Sequence, residues 1–240
     1  MASRFGFSFA VLTAFVVSSN SEAVAQYIGS DSPVGVPRFL LRDGTNIEAG
    51  KAFGISWLNR RKLLLCPIHL LGPCGGYDVQ IQGREVPDKI ASVEVLDPQS
   101  ENVIAKASRG VLRTGDTETN NAADDLTAFE LESNNRMPLL SLCLSVEPVG
   151  ARVWVFSKDS GGNNLQADRF PGKIRELANG KIVVDMDRKL TATGSSDAPI
   201  LNAKNEVVGM MTHTVGDNRM AFSGVSSAGI YARLYRELPR

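Results

Sequence analysis

The feature that most constrains the fold is the division of residues 26–240 into short apolar runs separated by turn signals. Several runs alternate apolar and polar residues with a period of two, which is typical of strands with one buried face. Asn179-Gly180 between two such runs predicts a two-residue β-hairpin. Convincing helical spacing occurs only over 226–238. The sequence therefore predicts an all-β fold with one C-terminal α-helix.

The predicted strands fall into two groups on either side of a polar connector, residues 133–138. The first group lies at 52–58, 62–68, 77–83, 91–97, 102–112 and 126–132, and the second at 139–145, 151–158, 172–177, 181–187, 198–202 and 206–215. Two groups of about six strands predict two packed six-stranded β-barrels. We place the first at 26–135 and the second, with the helix, at 136–240. A cleft between domains is a common place for a site.

Residues 1–25 predict a cleavable secretory signal. Arg4 supplies the positive charge, residues 5–17 form an apolar run, and Ala23-Val24-Ala25 has the small–x–small form that signal peptidase accepts. An uncleaved membrane anchor is the alternative, but the run is short against the roughly 20 residues that span a bilayer. We expect cleavage after Ala25, a secreted or periplasmic protein, and no membrane association afterwards.

Charge and composition narrow the class of protein. Lys and Arg number 26 and Asp and Glu number 26, so the formal net charge is zero. A nucleic-acid-binding protein is expected to show a basic excess or stripe, and we expect no nucleic-acid partner. A hydrophobic fraction of 43% and a charged fraction of 22% are ordinary for a globular protein and argue against a disordered chain.

Three residues of suitable chemistry occur at predicted strand ends or turns. His69 follows the run LLLCPI, Asp125 opens DLTAFEL, and Ser196 lies in the turn GSSDAPILN. An imidazole can take the proton of a serine hydroxyl while a carboxylate orients it and two backbone N–H groups face the oxyanion. Gly194 and Ser196 are the candidate N–H donors. Each residue also has an ordinary interpretation, as a core histidine, a strand-start aspartate or a turn serine.

These segments, taken in order, resemble the trypsin-like (chymotrypsin-fold) serine peptidases, in particular their exported bacterial members. LLLCPIHLLG resembles the strand-then-His motif, DDLTAFEL the aspartate strand, and GSSDAPILNAKNEVVGM the Gly-x-Ser-Gly-Gly/Ala-Pro turn with its following hairpin. The resemblance implies two six-stranded barrels, with His69 as base, Asp125 as orienting carboxylate and Ser196 as nucleophile in the cleft between them. It implies an exported serine endopeptidase that acts on peptides or proteins without a cofactor. The oligomeric state is left open.

One departure from the family affects the predicted chemistry. Asp197 stands where the family almost always has glycine. A carboxylate there would raise the pKa of the base and oppose the oxyanion. The alternative is therefore a catalytically degenerate homologue that acts as a peptide-binding or structural module. An esterase using the same three residues is a third hypothesis.

Two further residues are candidates for the substrate pocket. Leu190 falls where the family places the floor of its specificity pocket, and an apolar floor would suit apolar substrates. His213 lies on the strand that follows the nucleophile, where it either lines the cleft or has a structural role.

The cysteines do not follow the family's usual pattern. Cys66 and Cys74 bracket His69 and can form a disulfide in an oxidising compartment. Cys143, in an apolar run, is expected to be a buried free thiol. A metal site built from Cys66, His69 and Cys74 lacks a fourth ligand, so no metal is expected.

Overall fold

The structure is a computed structural model that describes residues 32–98, 100–117, 122–158, 167–190, 196–216 and 220–238. The predicted signal segment, residues 1–25, lies outside the described residues, as does Gly194. Within those ranges, no helix has both the length and the apolar character needed to cross a membrane.

The first sheet contains eight strands, and six of them close into a barrel. The strands are β1 (Val34–Leu41), β2 (Asn46–Glu48), β3 (Ala52–Ser56), β4 (Lys62–Cys66), β5 (Ile90–Leu96), β6 (Val103–Gly110), β7 (Thr127–Leu131) and β8 (Leu139–Leu140). Their order is β2-β1-β5-β6-β7-β4-β3-β8, and the ring closes because β1 also pairs with β3. A short helix, α1 (Val86–Lys89), precedes β5. β2 and β8 lie beside the closed ring.

The second sheet is a closed barrel of six strands followed by a helix. The strands are β9 (Arg152–Lys158), β10 (Ala167–Ala178), β11 (Lys181–Met186), β12 (Pro199–Leu201), β13 (Val207–Thr214) and β14 (Ala221–Ser226), in the order β10-β11-β14-β13-β12-β9. The helix α2 (Ser227–Glu237) begins where the Ser226 hydroxyl accepts the Gly229 N–H. The predicted fold of two six-stranded barrels with a C-terminal helix is confirmed.

The barrels share a buried apolar interface. Each barrel has its own core of inward-facing side chains, and a third cluster joins strands of both barrels to one face of α2. That third cluster includes Leu112, Leu126, Leu140, Phe156, Leu201, Val207, Ile230 and Leu234, all at most 4% exposed. Burying these side chains stabilises the contact by roughly 1.5–3 kcal/mol each relative to exposure. The interface therefore fixes the loops of one barrel against those of the other.

The structure differs from the sequence prediction at several places. The alternating segment 77–83 is not a strand, and the side-chain amide of Gln80 instead donates to the carbonyls of Ile68 and Ile81, at 2.9 and 3.1 Å. β1, β2 and β14 were not predicted, and of the predicted strand 139–145 only Leu139–Leu140 forms a strand. β1 contains Pro37, which cannot donate to a strand neighbour and weakens the strand signal, yet pairing with β5 holds it in place.

The connector between the barrels remains attached to the first one. β8 pairs in parallel with β3, joining Gly54 to Leu139. The adjoining Leu142 forms an isolated bridge to Val207 of the second barrel. The division of the chain at residues 135 and 136 stays a prediction.

Candidate active site

His69 and Asp125 meet because the strands that carry them are neighbours. β4 and β7 run antiparallel, with Cys66 opposite Thr127. His69 follows the end of β4 in a short 3-10 turn, and Asp125 precedes the start of β7. The pairing register therefore brings two residues that are far apart in sequence to one end of the first barrel.

The contact between these residues is direct and buried. His69 Nδ1 lies 2.7 Å from Oδ2 of Asp125, and the backbone N–H of His69 donates to Oδ1 at 3.0 Å. His69 is 9% exposed and Asp125 is 4% exposed. A carboxylate accepting from Nδ1 fixes the tautomer with a lone pair on Nε2. This geometry is the one expected of a general base and the carboxylate that orients it.

The second barrel presents Asp197 to the same imidazole. The Asp197 N–H donates to the Met211 carbonyl at 2.8 Å, and the Met211 N–H donates to the Ala198 carbonyl at 3.0 Å, so this turn is held against β13. Asp197 has φ +79°, in the left-handed region that glycine adopts more easily. This backbone geometry aims the side chain across the seam between the barrels, towards His69.

The Asp197 carboxyl group is completely buried. Its Oδ1 lies 3.8 Å from Nε2 of His69 and has no hydrogen-bond partner among the described residues, while Oδ2 is 3.4 Å from the N–H of Lys51. Oδ2 also occupies the space that a Cβ on Gly50 would need. Two carboxyl groups therefore flank one imidazole, one hydrogen-bonded at Nδ1 and the other beyond hydrogen-bond distance at Nε2.

The surroundings raise the pKa values of both His69 and Asp197. Burial raises the pKa of Asp197 well above its ordinary value of 3.8, and this outweighs the opposing charge of His69. Burial lowers the pKa of His69, but the hydrogen bond to Asp125 and the charges of Asp197 and Asp125 outweigh it, so the pKa lies above 6.5. The proton must leave this pair before His69 can act as a base.

Ser196 lies next to this pair without joining it. The residue is partly buried and directly precedes Asp197, in the turn that leads into β12. Among the described contacts, no hydrogen bond joins the Ser196 hydroxyl to Nε2 of His69. Gly194 lies outside the described residues, so the proposed N–H pair for the oxyanion stays a prediction.

His213 also lies against His69, a contact that the sequence analysis did not identify. The two ring centroids are 5.6 Å apart with the planes at 45°. His213 is exposed as a residue, but partial burial of its ring lowers its pKa from 6.5. The sequence signals were that the chain has just two histidines and that His213 lies on the strand after the predicted nucleophile. β13 and the barrel interface bring them together.

The cysteines near the site are not bonded to each other. Cys66 is buried and Cys74 is exposed, and both are free thiols. The structure does not join them, and the disulfide considered from the sequence stays a prediction. Burial, together with the charges of Asp197 and Asp125, raises the pKa of Cys66 well above 9.0, so its thiol stays protonated and unreactive. Cys143 is a buried free thiol, as predicted.

The expected pocket residue Leu190 packs into the core of the second barrel and is 2% exposed. It directly precedes residues 191–195, which lie outside the described residues, and its pocket role stays a prediction. A separate groove of about 370 Å³ lies between Leu144, Val146 and the start of α2. None of the residues lining that groove belongs to the His69 site.

No protein-family model matches this sequence, and no curated protein matches it. Solved structures do match its fold. The active form of the Rv3671c protease from M. tuberculosis aligns with a TM-score of 0.55 at 16% identity, covering 100% of this chain and 96% of that one. The inactive form of the same protease aligns with a TM-score of 0.53 at 17% identity, covering 86% and 89%. At such identities the likeness establishes the fold: this chain has the two-barrel, chymotrypsin-like architecture found in that protease.

Proposed function

We propose that this protein is an exported serine endopeptidase in which Ser196 is the nucleophile, His69 the general base and Asp125 the orienting carboxylate. The observation that carries the proposal is the buried His69–Asp125 hydrogen bond of 2.7 Å at the seam between the barrels. The lone pair on Nε2 of His69 then faces the turn that holds Ser196. The similarity in fold to the Rv3671c protease supports the same assignment.

The proposed reaction follows from these positions. Ser196 Oγ attacks the carbonyl carbon of a peptide bond while its proton passes to Nε2 of His69. Asp125 stabilises the imidazolium that forms, and the N–H groups of Gly194 and Ser196 hold the oxyanion. His69 then gives the proton to the leaving amine, and water hydrolyses the acyl-enzyme. Peptides or proteins are the substrates, and the chemistry needs no cofactor.

Asp197 gives this site a resting state. Its carboxyl group faces Nε2 at 3.8 Å, which is the atom that must receive the serine proton. Catalysis then requires the Asp197 side chain to turn away, so that Ser196 Oγ can approach His69. A turn held by two backbone hydrogen bonds can change side-chain direction without losing its place on the barrel.

The same observation favours a second candidate, a peptide-binding homologue without catalysis. A fully buried carboxyl group against the base is compatible with a protein that has lost the hydrolytic step. Such a module would bind an extended chain in the cleft by adding it to an exposed strand edge. The two candidates differ in whether Ser196 can become nucleophilic.

A fluorophosphonate probe, which reacts covalently with an activated serine, distinguishes them. For an enzyme, we expect labelling of the wild-type protein, loss of labelling in Ser196→Ala and in His69→Ala, and retention in Ser195→Ala, the matched neighbour. Labelling that persists in Ser196→Ala contradicts the nucleophile assignment. Folded wild-type and Asp197→Gly proteins that both remain unlabelled favour the binding module.

Export is part of the proposal and rests on residues 1–25. Arg4, the apolar run 5–17 and the cleavage sequence ending at Ala25 support it. Expression in a bacterial host with a secretory pathway tests it. N-terminal sequencing of the exported protein should begin at Gln26, whereas a protein retaining its first residues in the membrane fraction contradicts cleavage.

A further inference from the structure

The C-terminal helix α2 carries a buried arginine that reaches the loop in front of Asp125. Arg233 is only 2% exposed although it carries a charge. Its Nη1 donates to the Ala123 carbonyl at 2.9 Å and to Oδ1 of Asp124 at 3.1 Å. These acceptors belong to the two residues that directly precede Asp125. A side chain of the helix that follows the second barrel thus holds the backbone leading to a site residue of the first barrel.

The same helix holds the other end of this loop. Glu237 lies one turn after Arg233 and accepts from its Nε at 3.2 Å. Oε2 of Glu237 also accepts the backbone N–H of Arg113 at 2.7 Å, and Oε1 accepts the hydroxyl of Thr114. Arg113 and Thr114 follow β6, whereas residues 123–124 lie just before β7. Arg233 and Glu237 therefore form one ion pair that ties both ends of the β6–β7 connection to α2.

This contact restrains the chain where strand pairing does not. β7 begins at Thr127, so the β4–β7 register fixes the chain on one side of Asp125 only. On the other side, Arg233 bonds to the two preceding residues. Asp125 must accept both the backbone N–H and Nδ1 of His69, at 3.0 and 2.7 Å. Hydrogen bonds weaken steeply when their geometry is lost, so a displaced backbone at Asp125 would weaken this double contact.

We propose that Arg233, supported by Glu237, is a positioning residue that holds Asp125 in place against His69. A buried ion pair adds little net stability compared with apolar side chains of similar volume. The effect of Arg233 is therefore expected in the position of the loop more than in the free energy of unfolding. Its importance for catalysis rests on the proposed peptidase function, whereas the contact between Asp125 and His69 can be measured without any turnover.

The pKa of His69 reports this contact. The hydrogen bond to Asp125 raises that pKa, so a displaced Asp125 should lower it. Loss of the positive charge of Arg233 would by itself raise the pKa of a nearby imidazole, so a fall identifies displacement. Asp197, in the turn before β12, and His213, on β13, also face the ring. Substitutions at Arg233 leave both of these groups in place.

An NMR titration of the histidine Cε1 protons measures the pKa, and the His213→Gln variant assigns the two signals. In Arg233→Met, which keeps an apolar chain in the buried space, we expect the pKa of His69 to fall by about half a unit or more. Arg233→Lys keeps the charge but replaces the planar fork with one amino group. It should show a smaller fall, and it keeps the test valid if the methionine variant does not fold. In an active peptidase, Arg233→Met should lower kcat by roughly tenfold or more with KM nearly unchanged.

Two controls separate positioning from loss of charge or of stability. Arg236→Met removes the same charge from an exposed position of α2 and should leave the pKa of His69 unchanged. Val153→Ala weakens the buried core of the second barrel and should lower the stability without moving that pKa. An unchanged or raised pKa in the folded Arg233 variants, or an equal fall in Val153→Ala, overturns the inference. A lower pKa in a protein that hydrolyses nothing supports the inference and counts against the peptidase proposal alone.

Discussion

Oδ1 of Asp197 lies 3.8 Å from Nε2 of His69, while Asp125 is hydrogen-bonded to Nδ1 of the same ring at 2.7 Å. One imidazole therefore stands between two buried carboxyl groups that come from different barrels. The carboxyl group at Nδ1 is placed to orient the ring as a base, and the one at Nε2 faces the atom that would receive the serine proton. Single substitutions of either carboxyl group should therefore change the reactivity of the site.

Replacing Asp197 with glycine should raise the reactivity of Ser196. Glycine removes the carboxyl group from Nε2 and relieves the φ of +79°, which costs an L-residue about 1–2 kcal/mol. We expect fluorophosphonate labelling and peptide hydrolysis to become about tenfold faster for each pKa unit removed from the base, at pH values below that pKa. A folded Asp197→Gly protein with unchanged rates would show that Asp197 does not limit the site.

The activity should rise with pH through the pKa of His69. The pKa is above 6.5, with Asp125 and Asp197 as the causes that outweigh burial, and only the neutral ring accepts the serine proton. We expect the midpoint of the acidic limb of kcat/KM to lie above pH 6.5 and to move to lower pH in Asp197→Asn. A midpoint that does not move would contradict the coupling between the two groups.

Replacing Asp125 with asparagine should reduce turnover strongly without unfolding the protein. The asparagine carbonyl can still accept the backbone N–H of His69, but its amide N–H₂ would face Nδ1 and favour the wrong tautomer. Loss of this orientation lowers kcat by about a thousandfold or more in Ser-His-Asp enzymes. Steady-state kinetics with circular dichroism as the folding control measures this effect, and a loss smaller than tenfold would remove Asp125 from the proposed machinery.

Asp197 should make the wild-type protein less stable as the pH rises. Its folded pKa is raised above the ordinary 3.8, so the folded state holds the proton more tightly than the unfolded state. The associated stability is fully present below pH 3.8 and is lost as the pH rises through the folded pKa. An asparagine side chain at this position does not titrate, and we expect Asp197→Asn to be more stable than wild type by about 1 kcal/mol or more at alkaline pH.

Urea unfolding at a series of pH values measures this difference. The two proteins should approach each other in stability towards acidic pH and diverge as the pH is raised. A constant difference at all pH values would mean that Asp197 keeps its ordinary pKa in the folded protein.

The free cysteines give a simple test of the loop around His69. Cys74 is exposed, whereas Cys66 and Cys143 are buried. We expect a maleimide to modify Cys74 alone in the native protein and all three cysteines after unfolding, as read by mass spectrometry. An intact mass lower by two hydrogens, with Cys74 unreactive, would show that Cys66 and Cys74 form a disulfide after all.

Much of the fold could be predicted because its signals are local. Apolar runs, period-two alternation and the Asn179-Gly180 turn predicted β4, β7 and the β10–β11 hairpin close to their observed bounds. The helical spacing in 226–238 predicted α2. β1 was missed because Pro37 weakens its pattern and only pairing with β5 and β3 forms the strand. The prediction of a strand at 77–83 was wrong, because the side-chain amide of Gln80 instead donates to the carbonyl of Ile68, which lies in the turn after β4.

The sequence by itself determined the residue types at the site: two histidines, an aspartate that opens a strand, and a serine followed by aspartate in place of glycine. Only the tertiary structure decided which of them meet. The β4–β7 register joins His69 to Asp125, and the barrel interface brings Asp197 and His213 to the other side of the same ring. These contacts depend on long-range packing and on a left-handed backbone at residue 197. No local sequence pattern specifies such contacts, because side-chain direction across a domain seam is set by how two cores pack together.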